Sequence, residues 1–180
     1  MWKKAPVALT IVLAALFAYV QFRPGSYRIE RAHTITAAPT AVYARLADLR
    51  TYQLWSPWEQ LDAKTERTFD GPTEGIGATY RFRGDASVGE GRITLTEADP
   101  PVRALYRVEF DKPWRTVILH RFRIAPAEAG TTRLTWTLEG RHHFWGKLFA
   151  LLGDVDKAVG EDMAHGLVAL QHIVEGAGSS

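Results

Sequence analysis

Cysteine is absent from the 180 residues, which excludes disulfide frameworks, thiolate zinc sites, iron–sulfur clusters and a cysteine nucleophile. Serine is scarce. Ser26, Ser56, Ser87, Ser179 and Ser180 are the only ones, none sits in a Gly-x-Ser-x-Gly elbow, and serine hydrolysis is excluded with them. No His-Glu-x-x-His or comparable spacing occurs, and His142 and His143 are neighbours that a strand points to opposite faces. Neither a metal site nor a cofactor is expected. The glycine-rich stretch 71–77 lacks the Gly-Lys-Ser or Gly-Lys-Thr ending of a phosphate cradle, so it reads as a hairpin loop with a share in a cavity mouth. A basic excess is missing too. The chain has 22 Lys and Arg against 20 Asp and Glu, and without Lys3, Lys4 and Arg23 the remainder holds 19 against 20. A nucleic-acid partner is therefore not expected.

What the chain does have, first, is a charge-free run. From Ala5 to Phe22 no Asp, Glu, Lys or Arg occurs. At about 1.5 Å per residue the run spans roughly 27 Å, close to the hydrocarbon thickness of a bilayer. Trp2 and Tyr19 lie near its ends, with Lys3 and Lys4 before it and Arg23 after it. That pattern predicts a single-pass anchor over residues 1–23 in the cytoplasmic membrane, its N-terminus inside and the following domain outside the cytoplasm. A cleaved signal peptide and a buried core helix are the alternatives, and no convincing small-x-small cleavage pair follows the run. A linker is expected over 24–28, a folded domain over 29–175 and a disordered tail over 176–180.

The domain alternates in period after its first strand and helices. Residues 27–36 read as a strand, and Pro39 opens a helix to about Asp48 through Val42, Tyr43 and Leu46. A short turn through Tyr52 and Leu54 stops before Pro57. Six strand-length segments follow, 64–69, 78–83, 88–98, 103–110, 115–125 and 131–139, separated by Gly, Pro and Asp. Their alternation predicts one apolar face carrying Tyr80, Phe82, Tyr106, Val108, Phe110, Ile118, His120, Phe122, Ile124, Leu134, Trp136 and Leu138. Ile93 and Leu95 join it if Gly89 or Gly91 absorbs a register change. The last segment, from about Phe144 to Glu175, carries an apolar stripe at helical spacing, with Gly153 as a candidate kink.

The order of these elements, together with Thr-Ala-Ala-Pro-Thr-Ala-Val-Tyr (36–43), Trp55-Ser-Pro-Trp58, Gly71-Pro72, Gly75-x-Gly77-Ala78, Gly89-Glu90-Gly91, Gly130-Thr131 and the Val159-Gly160 to Gly166-Leu167 segment, resembles the START-like SRPBCC superfamily of polyketide cyclase-like and lipid-transfer proteins. The resemblance implies an α+β helix-grip fold: a curved seven-stranded antiparallel sheet wrapped around a long C-terminal helix and enclosing a cavity. It implies no universal catalytic residue, and no catalytic residue is assigned.

On that reading the expected ligand-binding residues are Trp55, Trp58, Tyr80, Phe82, Tyr106, Phe110, His120, Trp136, Met163 and Leu167. His120 is either a core histidine satisfied by a neighbour or a polar anchor for a ligand carboxyl or carbonyl. His165 and His172 read as solvated, and Glu90, Glu97, Asp99 and Glu109 as surface charge. The expected function is a membrane-anchored binding module for a hydrophobic small molecule or lipid, monomeric and without chemistry. The alternatives are a polyketide cyclase/dehydrase-like enzyme using the same pocket and an envelope or stress protein without a ligand. If the pocket lies between Trp136 and Gly160, Trp136→Ala is expected to cost little and Gly160→Leu to fill space.

Overall fold

The computed structural model describes residues 4–23, 25–142, 146–148 and 153–177, apart from the side chains of residues 4–8, 12–13 and 177. Helix α1 covers Lys4–Phe22 and is followed by β1, Ser26–Ile35. Residues 26–28, expected in the linker, are therefore strand. Among the described residues no helix is long and apolar enough to cross a membrane.

Helix α2, Pro39–Ala47, starts with its proline where a missing N–H costs nothing, and it buries Val42, Leu46 and Ala47. Helix α3, Tyr52–Trp55, stops at Ser56, one residue before Pro57, and turns Tyr52 and Trp55 inward while Leu54 is exposed. Six strands follow: β2 Glu66–Asp70, β3 Thr79–Arg83, β4 Glu90–Asp99, β5 Arg103–Lys112, β6 Thr116–Pro126 and β7 Thr132–Arg141. With β1 beside β7 they form one antiparallel sheet in the order β1-β7-β6-β5-β4-β3-β2.

The register puts the expected apolar residues on one face. Tyr106 faces His120, His120 faces Leu138, and Phe122 faces Trp136. The expected register change falls between Glu90 and Gly91, after which Ile93 pairs with Val108 and Leu95 with Tyr106. Gly91 is required there, because a Cβ would collide with the Glu109 carbonyl oxygen and the Phe82 ring. The opposite face carries ion pairs such as Arg92–Glu109 at 2.8 Å and Lys112–Glu90 at 2.9 Å.

The C-terminal helix differs from the expectation. Helix α4 runs Val155–Ala177 rather than from Phe144, so residues 176–177, expected in the tail, are helical. The carboxylate of Asp154 accepts the N–H of Lys157 at 3.0 Å and its carbonyl accepts that of Ala158 at 3.1 Å, which makes Asp154 the cap and Gly153 the break. Leu148 belongs to a separate helical stretch at 146–148, while Phe144, Leu152 and residues 178–180 lie outside the described residues. Met163, Leu167, Leu170 and Val174 of α4 are buried in the core against the sheet.

Candidate functional site

One end of the sheet is not filled by the helices. Tyr27 at the start of β1 pairs with Gly140, which also pairs with Ile118 at the start of β6. Phe110 near the end of β5 pairs with Gly91, which pairs with Phe82 near the end of β3. This is the end at which α1 leads into β1. A cavity of about 250 Å³ lies there. The sheet lines it with Phe82, Ile93, Val108, Phe110, Ile118 and Leu138, and α4 with Val155 and Val159. Tyr52, Trp58, Glu59 and Leu61 close a second side; Ser87 and Val88 close a third. Tyr27 and His142, stacked at 4.3 Å, stand at the β1–β7 corner.

Of the ten residues expected at a ligand, Trp58, Phe82, Phe110 and His120 line this cavity. The other six lie away from it, packed in the core. Trp136 is fully buried, with Phe122 stacked on it at 5.3 Å and Trp55 and Trp58 set edge-on at 5.5 Å. Trp55 is held by the same cluster and by Phe122. The Tyr106 hydroxyl donates to the Leu46 carbonyl, which ties β5 to α2. Tyr80 stacks on Phe69 at 5.2 Å, and Met163 and Leu167 sit under the sheet. These side chains are large and inward, so they fill the rows that α2, α3 and α4 cover. The 71–77 loop does join β2 to β3, yet it is pinned to α2 and β4 by Gly75 N–H to Ala47 O and Gly77 N–H to Leu95 O, and does not line the cavity.

Polar groups in the wall are few. His120 is 3% exposed, lies 5.6 Å from Trp58 and 5.5 Å from Trp136 between ring centroids, and its buried Nδ1 has no hydrogen-bond partner among the described residues. The reading of a core histidine satisfied by a neighbour therefore fails at that atom. Burial lowers its pKa from 6.5 to about 3, so at neutral pH it offers one donor and one acceptor and no charge.

Glu59 is the one charged group in the wall among the described residues. Arg67 Nε donates to its carboxylate at 2.9 Å, Arg67 Nη2 to its main-chain carbonyl at 3.2 Å, and Tyr80 Oη to both carboxylate oxygens at 2.8 and 2.9 Å. The hydrogen bond to Glu59 raises the Arg67 pKa; burial, then Glu59, raise that of Tyr80. Sequence reading missed Glu59, which sits in the 3₁₀ turn Pro57–Gln60 where no periodicity operates. The available signal was Arg67, a charged residue opposite Phe82 on the inward face of β2. Ile93, Val108, Ile118 and Leu138 were legible as inward residues but not as cavity wall. Among the described residues no group of three or more His, Asp or Glu is placed to hold a metal.

Residues 26–175 match the family described as polyketide cyclase / dehydrase and lipid transport. No curated protein matches the chain by sequence. Solved structures share its fold. The Aha1 dimer from Colwellia psychrerythraea is 20% identical, with 83% of this chain and 96% of that one covered and a TM-score of 0.57. Mll3558 from Rhizobium loti is 23% identical over 83% and 96% with 0.55, and jhp0584 from Helicobacter pylori is 12% identical over 82% and 88% with 0.61. At such identities the likeness carries the fold alone, which is the helix-grip arrangement of a curved antiparallel sheet and a long C-terminal helix. Since the match takes in every strand of the sheet and nearly all of α4, the chain belongs to the polyketide cyclase / dehydrase and lipid transport family.

Proposed function

We propose that the chain is a membrane-anchored binding module that holds a hydrophobic small molecule or lipid in the cavity at the β1 end of its sheet. The observation that carries this reading is the cavity itself. Its walls are aliphatic and aromatic with a few fixed polar groups, the composition expected of a site for an apolar ligand. Membership of a family associated with lipid transport supports the same reading. His120 does not titrate near neutral pH, which favours binding over proton transfer.

Residues 1–23 serve as the anchor. The support is the charge-free run 5–22 and the exposure of Leu9, Ile11, Leu16, Phe17, Tyr19 and Phe22 along α1, which water disfavours and a bilayer accepts. The lysines before the run put its N-terminus in the cytoplasm and the domain outside. Tyr27, in the cavity wall, follows Phe22 by five residues, a reach of at most about 17 Å. One wall of the cavity thus lies within that reach of the proposed anchor. The module works as a monomer, because the sheet and α4 bury each other's apolar faces.

The test is organic extraction of the full chain purified from membranes, followed by mass spectrometry. A co-purifying apolar molecule at near one-to-one stoichiometry is expected. Purification empty, with no uptake from a broad lipid panel, overturns the reading.

A further inference from the structure

Resting on the cavity reading above, we propose that the ligand is neutral and carries a hydroxyl group, an apolar alcohol or phenol rather than a fatty or aromatic carboxylate, with Glu59 and His120 as the two groups that recognise it.

The cavity wall contains Glu59 and no Lys or Arg among its described residues. A carboxylate entering it would leave water, find no cation, and face a carboxylate already present. Burial of an unpaired charge is opposed by several kcal/mol, and a second like charge adds to that. Arg67 does not relieve the difficulty. Its Nε and Nη2 are directed at Glu59 and its Nη1 donates to the Thr65 carbonyl at 2.7 Å, so its donors serve the wall rather than the space inside. Nor does His120 supply a cation, since its ring is surrounded by Trp58, Trp136, Tyr106 and Leu138, with no acid but Glu59 in the same cavity wall to stabilise an imidazolium.

Both groups have capacity left over. A carboxylate has about four lone-pair directions, and Glu59 accepts from one Arg67 N–H and one Tyr80 O–H at its side chain. His120 has an Nδ1 without a partner among the described residues, and a neutral imidazole in an apolar wall gains from any donor or acceptor that reaches it. A ligand hydroxyl answers both needs, since its one O–H donates to Glu59 and its oxygen accepts from the N–H of the His120 ring. An ether or hydrocarbon of the same shape cannot donate to Glu59.

The experiment uses the full-length chain in lipid nanodiscs, with empty nanodiscs as the reference, and three probes of one shape: 2-naphthol, 2-naphthoate and 2-methoxynaphthalene. Affinities are read by equilibrium dialysis at pH 7, where the naphthol is neutral and the naphthoate ionised. The naphthol is expected to bind at least about tenfold more tightly than either of the others, the size of one hydrogen bond to a charged acceptor. Glu59→Gln, checked for folding by near-ultraviolet circular dichroism, is expected to bring naphthol to within about twofold of the methyl ether and leave the ether unchanged, whereas His120→Leu, checked the same way, is expected to weaken naphthol and the ether alike by about threefold or more. Naphthoate or ether binding as tightly as naphthol, a naphthol advantage surviving in Glu59→Gln, or naphthol and ether affinities both unmoved in His120→Leu, overturns the proposal while the cavity reading stands. Failure of all three probes to bind removes the cavity reading and the proposal together.

Discussion

The phenol of Tyr80 and the carboxylate of Glu59 lock a strand to a turn: the hydroxyl stands 2.8 Å from one carboxylate oxygen and 2.9 Å from the other. Arg67, from the neighbouring strand β2, holds the same carboxylate. Three consecutive elements, the 57–60 turn, β2 and β3, thereby fix the one charged group among the described residues of the cavity wall, and this arrangement sets the first prediction.

Tyr80→Phe removes the donor but leaves Glu59 paired with Arg67, and is expected to cost about 1.5–2 kcal/mol in denaturant unfolding. Glu59→Leu strips the partner from a largely buried guanidinium and leaves the Tyr80 hydroxyl unsatisfied, for about 2–4 kcal/mol. Because the two share one carboxylate, the double variant is expected to cost less than the sum. Strict additivity would mean that the hydrogen bond contributes nothing.

His120 makes stability depend on pH. In the unfolded chain it protonates near 6.5, in the folded chain only near 3, so unfolding takes up a proton between those values. Stability from this residue is full above about 6.5 and falls as pH drops toward 3, by at most about 1.4 kcal/mol per pH unit. Carboxylates held by arginines, such as Glu109, also lose stability on acidification, so the readout is the difference between the chain and His120→Leu. The stability of the chain relative to His120→Leu is expected to fall between pH 6.5 and 4; a constant difference would show that His120 takes up its proton as readily in the fold as in the unfolded chain.

Much of this fold was legible because strands write their faces in alternation. Tyr106, His120, Phe122 and Trp136 could be assigned to one face from parity alone, and the pair Gly89 and Gly91 announced a bulge that brings Ile93 and Leu95 onto it, which the structure puts at Gly91. Parity does not say which inward rows are covered. Trp136 and Ile118 have the same sequence signature, yet Trp136 is enclosed by Trp55, Trp58 and Phe122 while Ile118 faces the cavity. That division depends on where α3 and α4 land, which is a long-range property. The α4 start was misplaced because the apolar stripe continues through Gly153 and Asp154, where the capping carboxylate outweighs the periodicity. Glu59 carried no signal of its own.

The proposed anchor makes its own prediction. Residues 1–23 are expected to remain on the mature chain and to keep it in the pellet after alkaline carbonate washing. Intact mass of the membrane-extracted protein decides it, and loss of roughly the first 20 residues would sink the claim. Deleting residues 1–23 is expected to release the domain without changing its affinity for 2-naphthol, because none of the described side chains of α1 lines the cavity.

The last prediction separates the filled rows from the open ones, and it reverses what the sequence alone suggested for Trp136 and Gly160. The indole of Trp136 is fully buried among aromatic rings, so Trp136→Ala is expected to cost about 3–5 kcal/mol rather than little. Gly160 does not border the cavity; a side chain there runs into the Arg31 guanidinium, which donates to the Asp156 carbonyl at 3.1 Å. Arg31 is the far end of a flexible side chain, so Gly160→Ala is expected to be close to neutral, with the lost hydrogen bond offset by about 1 kcal/mol of helix propensity. The cavity-filling test moves one residue back, to Val159, which lines the cavity from α4. Val159→Phe places its extra ring in existing space. It is expected to shift stability by less than about 1 kcal/mol and to abolish naphthol binding, whereas the same change in a filled core would cost about 1–3 kcal/mol through strain. A severe loss of stability in Val159→Phe, measured by urea unfolding beside Trp136→Ala, would show that the space is closed in solution and leave no room for a ligand.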